Sequence, residues 1–290
     1  MAAPVISVGN LTVGGAGKTP LTRWLAEQLP NVAVLTRGYG REAGEPLIVR
    51  PGEFPPVSQT GDEAQTLIRA QAAVIGIGAD RRSLAARLEA EFSPDYFVLD
   101  DGLQHWPMVR DLDIVLVDVQ DPFGGARLLP TGRLREPLRA LERAGIIVLT
   151  RVEPGRSYPA LLALLHRTNP RAPVVRAELV PRRWMRNELP AELPPGPYDA
   201  LCGLANPGSF RQSLARLGIR PAAWRIFPDH HRYTGADLAS FGSRAILTTE
   251  KDWVKLRELS VPVPIYWLAT ELTLSEPALL KRMIGKIKPG

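Results

Sequence analysis

Val5–Pro20 reads VISVGNLTVGGAGKTP. A short apolar run of strand type passes into a glycine-rich turn, and then into a segment that Pro20, with its fixed φ, is suited to begin as a helix. Strand, loop and helix in that order, with Gly14, Gly15 and Gly17 in the loop, read as a phosphate-binding loop. Backbone N–H groups must curl around a polyphosphate with no Cβ in the way, and a helix start adds donors and partial positive charge. Thr12, Gly14, Gly15, Ala16, Gly17, Lys18 and Thr19 are therefore the nucleotide-binding candidates. Lys18 would reach the outer phosphates as a point charge, and the Thr19 hydroxyl would face a magnesium ion shared with the nucleotide. The usual spacing G-x-x-x-x-G-K-[ST] asks for glycine at position 12, where this chain has Thr12.

Working outward, short runs rich in Val, Ile and Leu recur at Val5–Val8, Val32–Leu35, Ala73–Ile77, Tyr96–Leu99, Ile114–Val117 and Ile146–Leu149. They read as buried parallel strands. Helical spacing lies between them, as in Leu21, Leu25, Leu29 and in Leu84, Leu88, Phe92. Such alternation predicts an α/β fold, a doubly wound, mostly parallel sheet of the P-loop NTPase kind. Residues 184–197 (WMRNELPAELPPGP) hold four prolines and show no strand or helix period. The expected division is a catalytic, nucleotide-binding domain over 1–183 and a smaller α/β domain over 184–290, with an approximate boundary and the last residues free to return to the first domain. The second part carries strand candidates at Ala200–Leu204, Ala245–Thr248 and Ile265–Leu268, and helix candidates at Phe210–Leu217 and Pro277–Ile287.

Hydrophobic residues at 45% and charged residues at 23% over 290 positions exclude a disordered or fibrous chain. The opening Met1–Gly17 is broken by Gly9, Asn10, Gly14 and Gly15, so it fits neither a spanning helix nor a secretory signal. The expected compartment is the cytoplasm, and the lone Cys202 permits no internal disulfide. Net charge +6 favours an anionic partner. Nucleic acid is not expected, because no basic helix, zinc spacing or aromatic-basic sheet signature accompanies the charge.

A magnesium–nucleotide site also needs a carboxylate at the end of a neighbouring strand. Tyr96–His105 (YFVLDDGLQH) supplies Asp100 and Asp101; Asp118 closes another apolar strand and nearly ties with them, and the added Gly102, Gln104 and His105 favour the first pair. Thr60-Gly-Asp-Glu63 precedes a helical stretch, and by spacing alone is a capping box with Thr60 as N-cap. Phe227–Thr234 (FPDHHRYT) gathers two of the four histidines beside a carboxylate, a set suited to proton transfer or to a polar surface loop.

VGNLTVGGAGKTP, TRGYG, GDE, DDGLQH, GRLREPL, LANP, FPDHHRYT and TEKD occur here in one order between Val5 and about Lys255. In that order they resemble the tetraacyldisaccharide 4'-kinases of lipid A synthesis, which share the loop variant at Thr12. The resemblance implies transfer of the ATP γ-phosphate, with Mg2+, to the 4'-hydroxyl of a tetraacylated glucosamine disaccharide 1-phosphate. It implies Asp62 of GDE as general base with His230 as its partner, overriding the capping-box reading. It implies Arg133, Arg135 and Lys18 as cations at the transferring phosphate, and Asp100, Asp101 and Glu136 with Thr19 as the metal set. Arg37, Tyr39 and Arg81 match positions near the disaccharide phosphate, and Gln104 and His105 are placed with the acceptor.

Family members usually carry an apolar amphipathic helix before the first strand, and this chain starts almost on that strand. Either an anchor lies outside this sequence, or the chain docks on the anionic cytoplasmic face of the inner membrane through its basic surface and an apolar patch in the second part. The phosphate loop alone would also allow a nucleotide-driven switch, a metal-delivery protein or a soluble small-molecule kinase. Guanine selectivity finds no support, since Thr150-Arg-Val-Glu153 stands where Asn-Lys-x-Asp would. Oligomeric state is not legible.

Overall fold

A computed structural model of the chain describes residues 2–42, 44–153, 155–239, 241–261 and 263–287. In chain order the first half runs β1 (Val5–Asn10), α1 (Lys18–Gln28), β2 (Val32–Thr36), β3 (Leu47–Val49), α2 (Val57–Thr60), α3 (Asp62–Ala70), β4 (Val74–Ile77), α4 (Arg81–Phe92), β5 (Tyr96–Asp100), β6 (Leu112–Asp118), β7 (Ile146–Thr150) and α5 (Pro159–Thr168). The rest runs β8 (Val174–Arg186), β9 (Leu189–Pro190), β10 (Asp199–Cys202), α6 (Pro207–Arg216), β11 (Ala223–Ile226), α7 (Gly235–Ala239), β12 (Ile246–Thr249), α8 (Glu250–Leu256), β13 (Ile265–Leu274) and α9 (Pro277–Ile284).

One mixed, mostly parallel sheet has the order β11-β10-β12-β13-β8-β7-β6-β1-β5-β2-β4-β3, with β9 paired to β8. The α/β, P-loop type of fold expected from the alternating pattern is what the chain adopts. Strands β1, β2, β6 and β7 are buried along their whole length, as strands covered on both faces by helices must be.

Strand β8 joins the halves. Its start pairs parallel with β7, from Val174 to Arg176, and from Ala177 to Arg186 it pairs antiparallel with β13. The stretch after residue 183, read as lacking a strand period, therefore opens with the last residues of β8. Arginines at 182, 183 and 186 blur its alternation, and pairing with β13 decides it instead. Leu272 of β13 and Leu280 and Ile284 of α9 pack in the core of the first half, against Leu21, Leu25 and Val148.

The carboxyl ends of β1, β5, β6 and β7 line one edge of the sheet, and β1 lies between β6 and β5. Ligands of open α/β sheets bind in such a crevice, where the chain's connections diverge to either side.

Candidate active site

The phosphate loop grows from the end of β1. Asn10, buried at the strand's last position, donates its amide to the Thr12 carbonyl at 2.8 Å and to the Thr12 hydroxyl at 3.0 Å. That second bond gives Thr12 a purpose where a glycine is usual: its hydroxyl is a fixed acceptor inside the loop. Lys18 Nζ donates to Asn10 Oδ1 at 3.0 Å and stands 3.6 Å from Asp101. Gly17, at φ +87°, turns the chain into α1, which begins at Lys18 with Pro20 in its first turn.

Asp100 ends β5 and is buried; it accepts hydrogen bonds from Thr22 at 2.9 Å and Thr19 at 3.4 Å. Burial, with the charges of Glu63 and Asp101 added, pushes its carboxyl up to about 7, against the pull of Lys18 and Thr22. Asp101 follows in the left-handed region, φ +52°, and both its oxygens accept from Arg135 at 2.9 Å. Burial opposes its charge, but Lys18, Arg135 and Arg81 prevail and hold it below the usual carboxylate range.

Around this pair the predicted residues interlock. Gln104 donates to the Asn10 carbonyl at 3.2 Å and to Glu136 at 2.9 Å, and accepts from Arg135 at 3.1 Å. Glu136 also meets Arg143 at 2.9 Å. Arg81 is buried and donates to the carbonyls of Asp100 at 3.3 Å and Asp101 at 3.1 Å. Arg37 is exposed just past β2, near enough for its charge to act on Arg81. Burial first, then the charges of Arg81 and Arg110, hold the His105 imidazole below its ordinary value. Arg133 pairs with Asp121 at 2.7 Å and donates to the Val13 carbonyl of the phosphate loop at 2.8 Å. Asp118 is paired with Arg151.

The second cluster joins distant segments. Asp62 opens α3, and both its oxygens lie 3.0 Å from Nδ1 of His230, 168 residues away in the chain. The capping box expected from spacing is not formed. Gly61, at φ +79°, precedes α3, and a Cβ there would fall 2.4 Å from the Tyr39 carbonyl oxygen. That turn leaves Thr60 at the end of α2, where its hydroxyl donates to the Pro56 carbonyl at 3.2 Å and accepts from Gln65 at 2.8 Å. His230 is itself left-handed, φ +60°, with its N–H donated to Asp229 at 3.1 Å and its ring 4.9 Å from that of Tyr39.

Two lysines of α8, one turn apart, complete the cluster. Lys251 donates to Asp229 at 2.8 Å and lies 3.8 Å from Asp62; Lys255 lies 3.7 Å from Asp62 and 3.4 Å from Asp252. Burial raises the Asp62 carboxyl, but the His230 hydrogen bond and the charges of Lys251, His230 and Lys255 outweigh it and hold Asp62 below its usual range. The hydrogen bond to Asp62 raises His230 above its ordinary value despite burial and Lys251. Asp252 is fully buried and accepts from Tyr233 at 2.8 Å and from the Gly203 N–H at 3.1 Å, which ties the histidine turn to α8. Neither lysine was singled out by spacing; Lys251 sits in the TEKD string, whose only local signal is a Thr249 cap with its hydroxyl bonded to Asp252 at 2.7 Å.

Among the described residues, no group of three or more His, Cys, Asp or Glu side chains could by itself hold a metal ion. Magnesium seldom needs one, taking one or two carboxylates plus substrate phosphates. Asp100 and Asp101 beside the Thr19 hydroxyl fit that demand, since a buried carboxyl raised to about 7 is one that a neighbouring cation would return to its charged form.

Comparison with known proteins places this geometry. The family model described as tetraacyldisaccharide-1-P 4'-kinase matches residues 1–288. The tetraacyldisaccharide 4'-kinase of Anaeromyxobacter sp. (strain Fw109-5) is 41% identical over 273 residues, covering 87% of this chain and 73% of its own. That of Halorhodospira halophila is 38% identical over 275 residues, covering 93% and 78%. The crystal structure of LpxK from Aquifex aeolicus in complex with ATP superimposes with a TM-score of 0.81 at 33% identity, over 99% of this chain and 89% of that one.

Proposed function

The chain belongs to the tetraacyldisaccharide-1-P 4'-kinase family, and from that premise we propose how its residues share the work. It is an ATP-dependent lipid kinase of lipid A biosynthesis, carrying the γ-phosphate of ATP to the 4'-hydroxyl of tetraacyldisaccharide 1-phosphate. The phosphate loop from Thr12 to Thr19 grips the triphosphate, and Lys18 neutralises its outer charge. Thr19, Asp100 and Asp101 would hold Mg2+ with the nucleotide, Glu136 supporting them through Gln104, which accepts from the Arg135 that clasps Asp101. The ion would supply neutralisation of phosphate charge. Arg135, fixed on Asp101, is the further cation facing the phosphoryl group as its charge spreads.

Asp62 is the general base. The 4'-oxygen attacks the γ-phosphorus, its proton passes to an Asp62 oxygen, and the bond from phosphorus to the β–γ bridging oxygen breaks to release ADP. A carboxylate held below its usual range is a weak base, yet in a loose phosphoryl transfer the proton leaves late and position matters more than basicity. His230 orients that carboxylate through Nδ1. Tyr39, against the His230 ring, stands on the acceptor side with exposed Arg37, whose guanidinium suits the disaccharide phosphate. Arg81 acts through the Asp100 and Asp101 carbonyls, and His105 completes the acceptor side. In this reading the two parts, joined through β8, draw together over the substrates, consistent with Asp62 and His230 meeting from either part.

No helix among the described residues is long and apolar enough to cross a membrane. Net charge +6 together with exposed Trp106, Val109 and Leu129, which lie in the first part of the chain and not in the second as expected, supports peripheral contact with the anionic cytoplasmic face of the inner membrane. The observation that carries the catalytic reading is the 3.0 Å approach of His230 to Asp62. Its test incubates the protein with γ-labelled ATP, magnesium and the disaccharide 1-phosphate. Label is expected in the lipid, and lost on Asp62→Asn; phosphate released to water at one rate with or without lipid would favour a nucleotide switch instead.

A further inference from the structure

A phosphate loop binds through its N–H groups, so something must decide which way its peptide planes face. In a planar trans peptide the C=O and the following N–H point to opposite sides. Holding one carbonyl therefore aims the next N–H. Two carbonyls of this loop, at alternate residues, are held from the same rim. Arg133 Nη2 donates to the Val13 carbonyl at 2.8 Å, and Arg151 Nη2 donates to the Gly15 carbonyl. The N–H groups that share those planes belong to Gly14 and Ala16.

Each arginine is itself anchored by a carboxylate, Arg133 by Asp121 at 2.7 Å and Arg151 by Asp118. The Arg151 backbone is left-handed, φ +56°, at the first position after β7. An arginine persists in that region only where its surroundings fix it, and such outliers gather where a site needs them. The room is shaped to match: a Cβ at Gly14 would fall 2.7 Å from the Arg133 guanidinium, and one at Gly15 would lie 3.9 Å from Arg151 and 3.7 Å from the Ala205 methyl. Asn206, next to Ala205 in the LANP turn, donates to Gln120 at 3.1 Å, so this turn covers the same rim. The rim bounds a cavity of about 250 Å³.

We propose that Arg151, anchored by Asp118, is a positioning residue for the phosphate loop: it turns the Gly15 carbonyl outward so that the Ala16 N–H faces the triphosphate, as Arg133 does for Gly14. This rests on the ATP-binding reading above. It also gives Asp118 an occupation other than the metal, and Arg151 one that the absent guanine motif left open.

The test is Arg151→Met in the full chain, read by KM for each substrate and by the rise in melting temperature that ATP produces. Losing one charge-assisted bond on the loop should raise KM for ATP about tenfold and shrink the ATP-induced rise, with KM for the glycolipid within about twofold. Asp118→Asn should act in the same direction but less, and adding it to Arg151→Met should cost little more, since the two act as one unit. Arg151→Lys should recover only part, because a point charge cannot span both acceptors. If Arg151→Met does not fold, as its nucleotide-free melting temperature would reveal, Asp118→Asn and Arg151→Lys carry the same readout. Unchanged ATP affinity, or an equal loss for both substrates, overturns the inference. A wild-type chain whose melting temperature ATP does not raise overturns the nucleotide reading itself, and is thereby told apart.

Discussion

The two ends of the crevice are built in opposite ways. At one end, a single strand, turn and helix between Val5 and Gln28 carries nearly the whole phosphate-binding apparatus. At the other, Asp62 from α3, the Asp229–His230 turn and Lys251 from α8 are brought together from three places in the chain. Contiguity makes the first robust and recognisable, because one local conformation supplies many donors at once. The second exists only once the sheet has joined its halves through β8 and β13, so its geometry depends on the fold as a whole.

The largest effect separating the two ends belongs to the contiguous one. Lys18→Met removes the charge on the outer phosphates and should lower kcat/KM by about 10³-fold or more, with a loss visible in nucleotide binding as well as turnover. Asp62→Asn should lower kcat by about 10²–10⁴-fold while ATP still raises the melting temperature, since the base contributes to the chemical step and not to the grip on the nucleotide. If Asp62→Asn weakened ATP binding as much as Lys18→Met does, the two ends would not be separate devices.

A smaller effect is expected from the helix that assembles the second cluster. Lys251→Met frees the Asp229 carboxylate that holds the left-handed His230, and should cost about tenfold in kcat with KM for ATP unchanged. Lys251→Arg should restore much of it, and a variant with wild-type kcat would show that Asp229 holds the turn unaided.

The same contrast explains what could be read in advance. The buried strands β1, β5, β6 and β7 and the phosphate loop are local patterns, apolar runs and glycines, each carried by its own short segment, residues 5–20 holding both β1 and the loop. The half-exposed strand β8 is defined by its partner, so its arginine-rich alternation misled. The near tie between Asp118 and the Asp100–Asp101 pair was not soluble from the strand pattern, because all three lie at strand ends lining one crevice; it turns on which of them meets Thr19, and that is Asp100. Asp62 looked like helix punctuation for a physical reason: a carboxylate in a helix's first turn is favourable on its own account. Only the resemblance paired it with His230, and nothing local pointed to Lys255 or Arg151.

The smallest effect is thermodynamic and follows from the two opposed shifts in the second cluster. Asp62 is depressed by its partners, so its contribution is present above its unfolded value near 3.9 and is lost as pH falls through its lower folded value. His230 is raised by Asp62, so its contribution is full below its unfolded value near 6.5 and is lost as pH rises through its higher folded value. The pair therefore stabilises the fold most between those unfolded values, by about 1–2 kcal/mol. The melting-temperature gap between wild type and His230→Gln should be widest near pH 5 and should narrow above pH 7. Turnover should follow position instead: once His230 loses its charge it still donates Nδ1–H to Asp62 and keeps it oriented, so kcat should change little as pH passes the folded His230 value. Lys18→Met should leave most of the widening and narrowing of that gap in place, because Lys18 pairs with Asn10 and Asp101 and reaches the histidine turn only indirectly, through Asp100 and the Glu63 that lies 4.0 Å from His230. A gap that stayed constant across pH would mean that His230 stabilises by packing alone, and the second cluster would then be no more electrostatic than the first.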